Sequence, residues 1–167
     1  AAKIDARIDG DGVIGSSDQG IEASEIEILA NDVSSIVART GAASIAAGFG
    51  AVGAAISVGV AMALNEIDNE INAAITSAND FVRTESGDIT VRATEAASII
   101  SLTQAASVAV GGGAVGVGIS GAGAVAVNVV LSDVSAYIAG SNVTSANDLI
   151  LKSGSVATLS ATVEAGA

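Results

Sequence analysis

Two stretches of this chain repeat each other 63 residues apart, and no other feature constrains the fold as strongly. Residues 42–65, AASIAAGFGAVGAAISVGVAMALN, align without a gap with residues 105–128, AASVAVGGGAVGVGISGAGAVAVN. Repeats of this length stack as similar units, each of which buries its apolar face against the next. We therefore divide the chain into a partial repeat and two further repeats, at residues 1–36, 37–99 and 100–167.

Weaker matches extend the repeat beyond this tract. IEILAN (26–31) matches ITVRAT (89–94) at an offset of 63, and Ile4, Ala6 and Ile8 match Ile71, Ala73 and Ile75. ITSAND (75–80) matches VTSAND (143–148), and ITVRAT matches ATLSAT (157–162), both at an offset of 68. The change of offset predicts a five-residue loop insertion near residues 139–143.

Hydropathy alternates with a period of two residues, which is typical of strands with one wet face. In residues 66–75 the aliphatic side chains fall on one face together with Asn69, and Glu66, Asp68 and Glu70 fall on the other. The fold class that we predict is all-β.

The Gly/Ala tract alternates in side-chain size as well. Val, Ile, Met and Leu dominate the even positions of residues 52–64, and only Gly, Ala and Ser occupy the odd ones. A face of small residues lets another backbone layer approach closely. We therefore expect Gly/Ala-rich buried strands, with core against the Val/Ile side and a tight neighbour on the small side.

Composition excludes several classes of function. The chain has no His and no Cys, so the usual nucleophilic triads, zinc sites and disulfides cannot form. A net charge of −12 argues against binding to nucleic acid and to anionic membranes. Residues 41–64 are uncharged but have no aromatic belt or basic flank, so we expect no membrane insertion.

The stretch GFGAVG (48–53) matches the dinucleotide fingerprint G-x-G-x-x-G. That fingerprint requires a strand followed by a helix. GGGAVG (111–116) and GVGISG (116–121) match it too, and both lead into alternating sequence with poor helix propensity. We interpret these glycines as strand residues needed for close packing, and we predict neither a cofactor nor an enzyme.

The acidic segment D-G-D-G (9–12) is the best candidate for a metal site. Asp9, Asp11 and Asp18 offer hard oxygen ligands around glycine turns, which suits Ca²⁺. A solvated surface turn explains the same residues. Asn65 and Asn128 recur at equivalent positions, as do Asn79 and Asn147. We interpret them as structural side chains that hydrogen-bond along stacked coils.

The order of a Gly/Ala tract, an Asn, A-Y-I and then S-G-x-V-x-x-x-A-T resembles the repeat arrays of giant bacterial surface and secreted proteins. These are the filamentous adhesins of the leukotoxin family, also described as β-strand repeat proteins. The resemblance spans about residues 26–163 and implies an elongated β-solenoid, export from the cell and a structural or adhesive role. It implies no catalytic residues. Residues 1–12 lack the apolar segment of a signal peptide, and we expect the chain to be a fragment of a longer protein.

The predicted fold is a repetitive, β-helix-like β-solenoid in which each repeat makes about three coils of roughly 20–25 residues. The alternative is a β-sandwich or prism of long hairpins. The predicted function is an extracellular structural or adhesive module that self-associates through repeat edges and Gly/Ala faces. Two alternatives stay open. One is a module that binds Ca²⁺, a surface glycan or a host ligand, and the other is a carbohydrate-active enzyme on a β-helix.

Overall fold

The computed structural model describes residues 2–13 and 20–167, and none of these residues lies in a helix. The alternating segments form long strands, and short strands occupy the segments between them. The strands are β1 (Ala2–Asp9), β2 (Ile21–Ala23), β3 (Ile26–Phe49), β4 (Val52–Thr76), β5 (Val82–Thr84), β6 (Ile89–Gly112), β7 (Val115–Ala139), β8 (Val143–Thr144) and β9 (Leu149–Gly166).

The strands form three sheets in the orders β1-β4-β7, β2-β5-β8 and β3-β6-β9. Strands β1 and β4 are parallel, as are β2 and β5, and β5 and β8. Each sheet therefore takes one strand from each successive repeat, which confirms the all-β, solenoid-like class. Consecutive long strands such as β3 and β4 belong to different sheets, so they do not form the long hairpins of the alternative fold.

The size of one coil differs from the sequence prediction. Ile4 pairs with Ile71, and Ile21 pairs with Val82, at offsets of 67 and 61 residues. One repeat therefore makes one large coil, and the expectation of three coils per repeat is wrong. The predicted match of Ile4, Ala6 and Ile8 to Ile71, Ala73 and Ile75 is confirmed as strand pairing.

The chain divides into two compact units, and the first comprises residues 1–34, 67–97 and 130–157. In this unit each coil contributes one strand to each of the three sheets. Its interior is a column of aliphatic side chains, because every second residue of these strands points inward. The fully buried residues of this column include Ile71, Ile75, Val82, Ile89 and Val91.

The second unit comprises residues 35–66, 98–129 and 158–167. Here the chain passes from β3 to β4, and from β6 to β7, through tight turns at residues 50–51 and 113–114. Gly50 and Gly113 have φ values of 154° and 146°, which L-residues with a side chain rarely adopt. Two hydrogen bonds connect one turn to the other, from Gly50 N to Gly112 O (3.2 Å) and from Val115 N to Ala51 O (3.3 Å).

The small residues of β4 form the interior of the second unit. Ala55, Ser57, Ala61 and Ala63 are buried. A Cβ atom added to Gly59 would lie 2.5 Å from the carbonyl oxygen of Ala106, which is closer than real Cβ contacts come. The sheet of β4 and the sheet of β6 thus approach to backbone contact, as the Gly/Ala-rich face predicts.

The other half of that prediction is wrong. The large side chains on the opposite face of β4 are exposed rather than packed against core, from Val52 through Val58 to Leu64. The reason is steric, since two sheets separated by Gly, Ala and Ser gain their dispersion contacts from closely spaced backbones. Large side chains would hold the sheets apart, so they occupy the outer face.

The predicted five-residue insertion is also wrong. Ile89 N donates to Asp148 O, and Asp148 N donates to Asp88 Oδ1, so this part of the third coil lies at an offset of 60. Ala78 N donates to Ser141 Oγ at an offset of 63. The third coil is therefore three residues shorter here. Thr144 pairs with Arg83, so TSAND (144–148) lies beside residues 83–88 of the second coil and not beside TSAND at 76–80.

Close sheet approach predicts opposite effects for two glycines of the second unit. We expect Gly59→Ala to lower the free energy of unfolding by about 1–3 kcal/mol, because the added methyl group clashes with backbone. Gly41 lies in β3 with no atom within 4 Å of its Cβ position. We expect Gly41→Ala to raise the free energy of unfolding by about 0.5–1 kcal/mol. Urea unfolding followed by circular dichroism measures both, and equal effects would contradict the packing.

Candidate interaction surface

The predicted metal ligands are only partly assembled. Asp9 accepts a hydrogen bond from Thr76 Oγ1 (2.7 Å), and Asp11 accepts one from the Val13 N–H (2.8 Å). Asp18 lies outside the described residues, and the residues that are described contain no group of three acids able to hold a metal. A calcium site made by these three residues stays a prediction. A cavity of about 350 Å³, lined in part by Asp9 and Asp11, lies beside Phe81.

The stretch GFGAVG forms a turn between two strands. Gly48 and Phe49 end β3, Gly50 and Ala51 make the turn, and β4 begins at Val52. A dinucleotide loop places its phosphates at the N-terminus of a helix. Here a strand follows the turn, so these glycines serve the close approach of two sheets.

Asn65, Asn128 and Asn147 hydrogen-bond to a neighbouring coil, as predicted for the repeated asparagines, but the predicted equivalence of Asn79 and Asn147 is wrong. Asn65 Nδ2 donates to Asn128 Oδ1 (2.9 Å) along the coil stack, and Asn128 Nδ2 donates to Ser101 Oγ (3.1 Å). Asn147 Nδ2 instead donates to Ser86 O (2.9 Å), so it does not stack on Asn79. The reason is that the third coil has no five-residue insertion, so Asn142 rather than Asn147 lies beside Asn79.

The three acids of β4 lie on its exposed face, as the alternation predicts. Glu70 accepts hydrogen bonds from Lys3 Nζ (2.9 Å) and Asn72 Nδ2 (2.7 Å). These donors, Lys3 above all, lower the pKa of the Glu70 carboxyl below its ordinary value. The same ion pair raises the pKa of the Lys3 ammonium. Glu70 thus joins two neighbouring coils, β1 and β4, through an exposed ion pair.

A second ion pair links neighbouring coils in the sheet of short strands. The Arg83 guanidinium donates to the Glu22 carboxylate, and this hydrogen bond lowers the pKa of Glu22. The Arg83 guanidinium also stacks over the Phe81 ring at 4.8 Å. Because both charged side chains are partly solvated, a pair of this kind adds little to stability.

A polar cluster inside the first unit was not predicted from the sequence. Glu95 is only 3% exposed, and its carboxylate accepts hydrogen bonds from Ser132 Oγ and Ser155 Oγ (2.7 Å). In the coil before it, Asn69 Nδ2 donates to Asp32 Oδ2 (2.9 Å). The sequence could have predicted this cluster, because Asp32 and Glu95 are both acids at inward positions and lie one repeat, 63 residues, apart.

A broad exposed apolar feature of the described residues is the outer face of β4 and β7 in the second unit, which we call the aliphatic face. Two hydrogen bonds, from Val115 N to Ala51 O and from Asn65 to Asn128, fix the two strands at an offset of 63 residues. Eleven large side chains of this face are 43–73% exposed: Val52, Ile56, Val58, Val60, Met62, Leu64, Val115, Val117, Ile119, Val125 and Val127.

The edges of β3 and β4 at one end of the second unit are also open among the described residues. β3 is the outermost strand of its sheet. β1 covers only residues 69–76 of β4, so residues 52–68 have a strand neighbour on one side, at β7. Unpaired backbone N–H and C=O groups along an edge are a template for adding another strand.

Comparison of the chain with protein-family models, with curated proteins and with solved structures finds no match in any of the three. The resemblance to repeat arrays of bacterial surface proteins therefore stays a prediction. Within the part of the chain that the structure describes, no helix is long and apolar enough to cross a membrane.

The assignment of the two faces of β4 can be tested with isosteric substitutions. We expect Val58→Thr and Val60→Thr each to change the free energy of unfolding by less than about 0.5 kcal/mol, because both side chains are exposed. We expect a double variant that combines Val58→Thr with Val60→Thr to bind less of an apolar fluorescent dye, because its exposed face is less apolar. Ala61→Thr introduces a larger residue on the buried face, and we expect it to lower the free energy of unfolding by about 1–3 kcal/mol. The reverse ranking would place the aliphatic face inside.

Proposed function

We propose that the chain is a structural, non-enzymatic repeat module of an extracellular bacterial fibre, stalk or filamentous adhesin. The observation that carries the proposal is the parallel stacking of coils whose outer strands have open edges. The Gly/Ala face of β4 is buried within the chain. The proposal therefore assigns self-association to the strand edges and to exposed apolar surface.

Parallel stacking supports growth in one direction. Within the chain, the coil of β3 and β4 stacks on the coil of β6 and β7. The edge presented by β3 and β4 is thus complementary to the opposite edge of the stack. A head-to-tail contact of this kind does not close on itself, and it builds an open filament rather than a dimer.

The composition suits a passive module of this kind. The absence of His and Cys removes the usual catalytic base and the thiol nucleophile, and the net charge of −12 favours solubility before assembly. Ladders such as Asn65–Asn128 add side-chain hydrogen bonds along the stacking direction. The resemblance to surface-protein repeat arrays supports the same assignment and a location outside the cell.

Proline substitutions at the open edge test the proposal. Ile26 N donates to Asp88 O and Gly10 N donates to Thr76 O, so odd residues of β3 and even residues of β4 direct their backbone groups to the open side. The double variant Ala43→Pro and Ala54→Pro removes an outward N–H from each edge and adds a steric block. We expect the protein to lose rods and fibres in electron micrographs while it keeps its circular dichroism spectrum.

The matched control is Ala43→Thr with Ala54→Thr, which keeps both N–H groups and favours strand structure. This control is expected to assemble like the unmodified chain. Single particles of the unmodified chain at every concentration, with and without calcium, would contradict the proposed function. Rods that form only with calcium would favour the calcium-binding alternative.

A further inference from the structure

The aliphatic face is too large to be an ordinary exposed patch. Its eleven large side chains together expose on the order of 1,000 Å², whereas the largest patch of a typical monomer is about 300–600 Å². A standard protein interface buries about 800 Å² on each partner. The aliphatic face alone therefore provides the area that a stable interface needs.

At the centre of this face, large side chains on β4 lie beside glycines on β7. Gly121 and Gly123 lie in the middle of residues 115–127, the part of β7 that belongs to the aliphatic face, and no atom lies within 4 Å of either Cβ position. At an offset of 63, their neighbours on β4 are Val58 and Val60, which are 64% and 61% exposed. The centre of the face is thus a pair of valine projections beside a pair of glycine hollows at the same level.

Projections and hollows side by side make the face complementary to itself. A two-fold axis parallel to the strands, midway between two facing sheets, turns β4 of one copy onto β7 of the other without a shift along the strands. Val58 of each copy then meets Gly121 of its partner, and Val60 meets Gly123. Isologous contacts require this kind of self-complementarity.

We propose that a second copy of this chain covers the aliphatic face, through face-to-face packing of the two β4–β7 sheets about this two-fold axis. The inference deepens the proposed function, on which it rests, by naming the partner of its exposed apolar surface. Edge stacking lengthens the assembly, and face pairing joins two stacks side by side.

A lipid surface is the competing occupant, and the observations favour a protein copy. Sheets that face lipid carry Trp and Tyr at the membrane interface and basic residues near the headgroups. The residues of the aliphatic face include no aromatic or basic side chain. The net charge of −12 disfavours binding to anionic headgroups. A fluid bilayer has no fixed shape that would match paired projections and hollows.

The experiment uses the edge-blocked variant with Ala43→Pro and Ala54→Pro, so that end-to-end growth does not mask face pairing. Sedimentation velocity is expected to show a reversible dimer. Adding Gly121→Val and Gly123→Val fills the hollows and sets valine against valine. We expect the dissociation constant to rise at least about tenfold.

The swapped variant provides the matched control. It combines Gly121→Val and Gly123→Val with Val58→Gly and Val60→Gly, which exchanges projections and hollows between the two strands. The swapped face is again complementary to itself, so the dimer is expected to return. A general loss of apolar area or of strand propensity would not be rescued in this way.

Three results would overturn the inference. The first is an edge-blocked chain that stays monomeric at its highest soluble concentration, and the second is a dimer that the filled hollows do not weaken. The third is a monomer that floats with phosphatidylcholine vesicles, which would assign the face to lipid. A dimer together with failure of the unblocked chain to form rods would overturn the proposed function and leave the face pairing standing.

Discussion

The close approach of two sheets through faces of Gly, Ala and Ser is the contact on which the rest of the second unit depends. The single O–H of Ser107 is shared between two acceptors of Ser57, the backbone oxygen (2.7 Å) and the hydroxyl oxygen (2.9 Å). Ser57 Oγ donates in turn to Ser44 Oγ (2.8 Å). Contacts this short leave no room for a layer of large side chains. The larger residues are therefore placed on the outside, and the apolar exterior is a consequence of the narrow interior.

The first unit packs large rather than small side chains in its interior, and this packing was easier to predict from the sequence. Most of its inward positions carry Ile, Val and Ala, which fill a wide interior, and the acids Asp32 and Glu95 are inward exceptions with hydrogen-bond partners. Alternation over residues 66–75 predicted both faces correctly, and the pairing of Ile4 with Ile71 followed from matching them at an offset of 67. Where a large apolar face is opposed by a charged one, period and polarity together decide which face is buried.

For residues 52–64 of β4, the two-residue period alone could not predict which face is buried. Both faces are apolar, and hydropathy ranks the Val/Ile face as the core, although the structure buries the small one. Which face is buried depends on the distance to the next sheet, which a single strand does not encode. The prediction of a five-residue insertion was wrong for another reason. The letters SAND occur twice in the chain, and matching these identical letters aligned positions that are not equivalent in the structure. Hydrogen bonds such as Asp148 N to Asp88 show the equivalent pair.

Register is the remaining requirement, since parallel strands of similar residues can slip along one another. In a Gly/Ala tract, a shift of two residues would bring equally small side chains into the interior. The ladder between Asn65 and Asn128 and the buried carboxylate of Glu95 oppose such a shift, because each has partners at one register only. Moving Glu95 would leave a buried carboxylate unpaired, at about 1–3 kcal/mol, and moving half-buried Asn65 would break its hydrogen bond to Asn128. The hydrogen bond between Asn65 and Asn128 thus favours the register of β4 and β7 that places Val58 beside Gly121, and with it the pattern of large and small residues on the aliphatic face.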